Sequence, residues 1–159
     1  MSSERVLPGG AYADVTVAGA PLIAAELPDR QAIQVYWGDA IIATIPGTPE
    51  RDGGVRALYP RICAGGPGRF AVALQSGDYP ALSVGGERSR IFSTDGPLFG
   101  PEAVCVTWDG QAFLLAYVVT GRVIVLQIGP DGRIWSRREG PAFTSQVISR
   151  LDADGTVVF

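Results

Sequence analysis

The longest uninterrupted apolar run in the sequence, residues 112–119, is only eight residues long, and the runs around it are shorter and punctuated by Gly, Pro and Asp-Gly pairs. A helix needs about 20 apolar residues to cross a bilayer, whereas eight is the length of a buried strand. A chain written this way folds as many short strands joined by tight turns, so the expected fold class is all-β. The 21 Gly and 12 Pro are scattered among the strands, which separates the chain from low-complexity disorder. With 159 residues there is room for one domain with a real core.

Four hairpins stand out. Residues 33–37 turn at Gly38-Asp39 into 40–45, and 61–64 pass through 65–68 into 69–74. Residues 103–108 turn at Asp109-Gly110 into 112–119, and 147–151 turn at Asp154-Gly155 into 156–159. The spacing is regular: Cys63 and Cys105 are forty-two positions apart, Gly110 and Gly155 forty-five. Pro60, Pro101 and Pro141 precede three of the units at similar intervals. A period near forty with several strands in each marks a radial β-repeat. The first interval is shorter, so that copy reads as degenerate or trimmed. Residues 13–17 alternate like a strand and 22–27 form another apolar run, but residues 1–30 as a whole read as an N-terminal arm or docking segment, with the β-repeat domain over 31–159.

The clearest unit holds four antiparallel strands, 103–108, 112–119, 122–128 and 133–139. The second and third are apolar nearly throughout and should be buried on both faces; the fourth is charged, as an exposed edge should be. That pattern favours propeller-like repeats, with a β-sandwich as the alternative.

The stretch Trp108-Asp109-Gly110-Gln111-Ala112-Phe113-Leu114-Leu115-Ala116-Tyr117, followed by Gln127-Ile128-Gly129-Pro130-Asp131-Gly132-Arg133-Ile134, resembles the repeat of sialidase-like β-propeller proteins. The resemblance covers about residues 31–159 and implies a propeller of the kind found in bacterial secreted proteins and in bacteriophage tail and fibre proteins. Ser93-Thr94-Asp95-Gly96 half matches the Asp-box turn of sialidases; the Gly comes one place early and Phe99 stands where Trp is usual. Propellers close with four or more blades, while this sequence offers three and a terminal hairpin. Closure across subunits, or cover by another protein, is therefore expected.

The composition narrows the chemistry. The sequence contains no His, Lys or Asn, which removes the commonest general base and metal ligand, Schiff-base lysines and the phosphate-loop lysine. The missing Lys and Asn, both read from AT-rich codons, point to GC-rich coding, bacterial or viral. The net charge of −3 and the lack of a basic stretch argue against nucleic acid as a partner. No secretion signal and no spanning helix is expected, so membrane insertion is not either. Cys63 and Cys105 read as small buried hydrophobes rather than a disulfide.

Asp39, Asp78, Asp95, Asp109, Asp131, Asp152 and Asp154 could furnish a carboxylate pair, but nearly all sit beside Gly in turns, where Asp bonds its own backbone. Asp152-Ala153-Asp154-Gly155 opens like a calcium loop yet reads as a hairpin turn. The resemblance to sialidases would call for an arginine cluster and a Tyr; Arg61, Arg69, Arg88, Arg90 and Tyr59 show no such grouping in the sequence. No catalytic residue, metal or cofactor is therefore assigned. Trp37, Tyr79 and Trp108, with Asp109, are candidates for a carbohydrate or receptor surface, against the plainer reading of Trp37 and Trp108 as core anchors. Val15, Val17 and Trp135 are candidates for protein–protein contact. The function expected is a non-enzymatic structural or attachment component of a large assembly, foremost a phage or phage-like virion protein. It would be made in the host cytoplasm and partnered by copies of itself, other virion proteins or a host-surface glycan. A carbohydrate-binding module and a glycoside hydrolase are the alternatives.

Overall fold

The computed structural model describes residues 12–17, 19–50, 52–65, 69–98, 103–142, 150–151 and 157–158. The first sheet is a meander of β1 (Tyr12–Val17), β2 (Ala20–Glu26), β3 (Ala32–Trp37) and β4 (Ala40–Pro46), hydrogen-bonded in that order. Gly38 makes the β3–β4 turn at φ +54°, a conformation open to Gly at little cost. The second sheet runs β5 (Thr48–Pro49), β6 (Val55–Ala64), β7 (Phe70–Ser76), β8 (Tyr79–Val84) and β9 (Arg90–Ile91). A short 3-10 turn, Ser93–Asp95, leads to the third: β10 (Val104–Trp108), β11 (Phe113–Val119), β12 (Arg122–Ile128) and β13 (Ile134–Pro141). Two further short strands, β14 (Arg150–Leu151) and β15 (Val157–Val158), pair with each other.

The sheets stack through alternate side chains. Along β7, Phe70, Val72 and Leu74 point towards sheet 1 and join Leu22, Ala24, Ile33, Val35 and Ile45. Ala71 and Ala73 point the other way and meet Val104, Val106, Phe113, Leu115 and Tyr117 of sheet 3. Sheet 2 is thus covered on both faces, with a period of two separating its neighbours. Each large side chain buried in these interfaces contributes about 1.5–3 kcal/mol. Between the sheets, β6 touches both β1 and β10, the first strands of sheets 1 and 3.

The all-β, propeller-like reading therefore stands, with antiparallel sheets of about four strands, and the third sheet follows the sequence expectation to within two residues at each strand end. Three details differ. The first unit is not trimmed: within the expected arm, residues 12–17 and 20–26 are its first two strands, and β2 buries Leu22, Ala24 and Ala25. Residues 1–11 lie outside the described residues. Pro60 does not precede its strand but sits inside β6, where the register shifts between Leu58 and Arg61 and Tyr59 adopts φ +53°. A Pro without an N–H is tolerated at such a bulge. Finally, β12 alternates: Ile124, Leu126 and Ile128 are buried, while Val123 and Val125 are half-exposed beside Cys105, Ala116 and Val118.

Leu74→Ala should lower unfolding stability by about 2–5 kcal/mol, because its cavity lies in the layer between sheets 1 and 2. Ile42→Ala, on the exposed outer strand, should change it by less than about 0.5 kcal/mol in the monomer. Urea unfolding of both variants reads the contrast.

Candidate functional site

Where the chain leaves sheet 2 for sheet 3, the 3-10 turn aims the Asp95 carboxylate inward, and Gly96 follows at φ +102°. The fully buried Tyr117 of β11 donates its hydroxyl to Asp95 Oδ2. Arg137 of β13 makes a two-pronged pair, Nη1 to Oδ2 at 3.0 Å and Nη2 to Oδ1 at 2.9 Å. Arg137 also reaches Glu139 at 3.1 Å, and Arg122 reaches Glu139 at 3.7 Å and the Asp95 carbonyl at 3.4 Å. The pairing Tyr117–Ile124–Glu139 places Tyr117, Arg137 and Glu139 on one face of sheet 3, the face that meets the 3-10 turn carrying Asp95.

Burial alone would raise the Asp95 pKa; the hydrogen bonds from Arg137 and Tyr117, with the charges of Arg137 and Arg122, outweigh it and hold the carboxyl below its ordinary value. Burial and the same carboxylate push the Tyr117 hydroxyl well above the usual phenol range, so it stays protonated. The bond to Asp95 holds the Arg137 guanidinium charged. A protonated, fully buried phenol is a poor nucleophile, and what the arrangement does is lock the sheet 2–3 connection to the outer strand of sheet 3. A smaller clamp ties sheets 1 and 2: the buried Glu26 carboxylate accepts the N–H of Tyr59 at 2.7 Å, and Arg30 lies 3.6 Å from Glu26 and over the Tyr59 ring.

The residues singled out from sequence are scattered. Trp108 is a core anchor, its ring 4.7 Å from that of Phe113. Both press on Gly65, where a Cβ would lie 2.5 Å from Phe113. Asp109 is a turn residue: Oδ1 accepts the N–H groups of Gln111 and Ala112 at 2.8 and 2.7 Å, while Oδ2 accepts Gln127 at 3.3 Å. Asp131 likewise accepts the N–H of Arg133. Tyr79 opens β8 at the opposite end of the stack. Its turn bonds Leu98, which bridges to Val119, and Val119 ends the seven-residue strand that Phe113 begins, about 20 Å away. Trp37 is not equivalent to Trp108; it stands 49% exposed at the β3–β4 tip. Trp135 is 52% exposed and lies over Gly129. Val15 and Val17 fall in β1, paired with Leu22 and Ala20, and their side chains lie outside the described residues. Phe99 and the Asp152–Asp154 turn lie outside them too. Neither Cys63 nor Cys105 is in a disulfide; burial pushes the Cys63 thiol up to about 12, although the backbone hydrogen bond from Ala71 lowers it in part.

The outer edges of the sheets differ in kind. β13 carries Arg137, Arg138 and Glu139, and β9 contains Arg90, beside Arg88. β4, Ala-Ile-Ile-Ala-Thr-Ile-Pro, carries no charge at all; Ile41 is 56% and Ile42 43% exposed, with Trp37 beside them on the same hairpin. Among the described residues there is no group of three or more His, Cys, Asp or Glu that could hold a metal ion, and no helix long and apolar enough to cross a membrane. No protein-family model matches the chain, and comparison with curated proteins and with solved structures finds no significant match.

Because the folded pKa of Asp95 lies below its unfolded value, the node's contribution is whole above pH about 4 and is lost as pH falls through the folded pKa. Asp95→Asn should cost about 1–3 kcal/mol at pH 7 and close the gap to the parent protein in acid. Urea midpoints of the two proteins at pH 7 and pH 3 measure this difference.

Proposed function

We propose that this chain is a non-enzymatic assembly module, a structural or attachment component of a large particle. The outer edge of sheet 1 is the surface by which it joins its neighbour. The observation that supports this reading is the uncharged β4 strand, with Trp37, Ile41 and Ile42 open on its hairpin while the other outer edges carry arginines. An edge strand offers unpaired N–H and C=O groups, and charge is the usual guard against pairing; its absence here leaves a template for another strand. The neighbour is a second copy of this chain. Two β4 strands laid antiparallel across a two-fold axis oppose no like charges and cover the isoleucines of both. The particle proposed first is a phage or phage-like virion, in its tail, fibre or head spike, because the turns of β10–β13 resemble propeller repeats of such proteins.

A second reading, glycan recognition, draws on the half-exposed Trp37 ring, which is placed to stack on a sugar. Loss of glycan-array signal on Trp37→Ala would favour it over self-assembly.

Light scattering across a concentration range tests the first reading. The parent chain should give a dimer mass, and Ile41→Lys with Ile42→Lys a monomer of unchanged melting temperature. A monomer at every concentration, or a dimer indifferent to both lysines, would remove the β4 edge as the self-contact.

A further inference from the structure

Sheet 3 has a second apolar face, turned away from sheet 2. Val104, Val106, Phe113, Leu115 and Tyr117 point towards sheet 2, so the residues between them point outward. On that outer face Cys105, Ala116 and Val125 form one row across β10, β11 and β12, and Val118 with Val123 begins the next. Cys105 is 6%, Ala116 0% and Val118 5% exposed. A side chain on a sheet face open to water keeps much of its surface, so these three lie under a further layer. Among the described residues, the hydrophobic member of this cluster from outside the sheet is Ala142, which is too small to cover it.

The burial has a shape. On β12, Val123 and Val125 are half-exposed, so the covering layer stops short of the third strand. It is also short along the strands. Thr107 and Leu114 are half-exposed, and there the face turns polar, Ser136 Oγ donating to Gln127 Oε1 at 3.2 Å. The cover is therefore two strands wide and a few residues long. A four-stranded sheet from a second copy, stacked as sheets 1 and 2 stack, would bury β12 as well. The β14–β15 hairpin has the right dimensions: two antiparallel strands of two residues each.

The chain also leaves sheet 3 on this side. Ala142 belongs to the cluster and donates its N–H to the Gly121 carbonyl at 2.9 Å, at the end of the sheet where Val118 and Val123 lie. Residues 143–149 can span about 23 Å when extended, more than the roughly 14 Å across four strands. The sequence beyond Ala142 is rich in apolar residues, among them Val147, Ile148, Leu151, Val157 and Val158. Residues 1–11 offer Val6 and Leu7, cut off by Pro8-Gly9-Gly10.

We propose that the β14–β15 hairpin docks on the outer face of sheet 3 in the same chain, over Cys105, Ala116 and Val118. The stack then has a fourth layer that shelters β10 and β11 and leaves the outer face of β12 and β13 to water. Arg138, exposed and paired with Val125, marks that boundary. Sheet 3 needs no second copy to cover it. The inference is independent of the β4 contact, since it uses no residue of sheet 1.

Methyl NMR on the full chain tests it, with a mixture of copies labelled in opposite ways to separate contacts within a chain from contacts between chains. Nuclear Overhauser contacts from the Val118 methyls to those of Leu151, Val157 or Val158 are expected within one chain. In the full chain carrying Leu151→Asp and Val158→Asp, maleimide labelling of Cys105 should run about tenfold faster or more, because the docked hairpin no longer shields the thiol. Contacts found between chains, Val118 contacts that omit the hairpin, or Cys105 labelling unchanged by the two aspartates would overturn the proposal.

Discussion

Strand β7 has no face for water. Phe70, Val72 and Leu74 are covered by sheet 1, and Ala71 and Ala73 by sheet 3, so sheet 2 exists only as the middle of a stack. The small residues on the sheet 3 side let Phe113 and Leu115 approach, and the large ones on the other side fill the space left by Ala24 and Val35. Once that layer is in place, the polar groups that must cross it are few and are tied down. Glu26 is held on the Tyr59 N–H and Asp95 on Tyr117 and Arg137. A buried carboxylate costs several kcal/mol unless it is paired and hydrogen-bonded, and both meet that condition.

Local signals in the sequence proved sufficient for much of this. The Gly38, Gly110 and Gly132 turns announce their hairpins because the backbone there needs positive φ. The charged run 133–139 announces an outer strand because nothing else in the unit can face water. Asp109 and Asp131 are legible as turn residues for the same local reason. What escaped is what depends on register between distant segments. Asp95 and Arg137 are forty-two positions apart and meet only after sheet 3 has folded over the 3-10 turn. The membership of residues 12–26 in sheet 1 was hidden because two short apolar runs carry no mark of which neighbour they pair with. Trp37 and Trp108 look alike in their hairpins, yet one is open at its tip and the other is pressed on Gly65 and Phe113, a difference no local signal carries.

The unequal edges carry the functional argument. Arg137 is recruited inward by Asp95 and still leaves β13 guarded by Arg138 and Glu139, so stability and protection come from one strand. β4 has neither duty. On the proposed reading, its isoleucines are kept apolar because they are covered in the assembled state. The hairpin tip with Trp37 then sets the orientation in which a neighbour can approach.

Hydrogen exchange read by mass spectrometry, on dilute and concentrated protein, bears most directly on this picture of a fixed middle layer and an open edge. The account predicts that residues 70–76 exchange slowest at both concentrations. It also predicts that residues 40–46 exchange fast when dilute and become protected when concentrated. Rapid exchange across 70–76, or protection that grows on residues 134–141 while 40–46 stays unchanged, would contradict it.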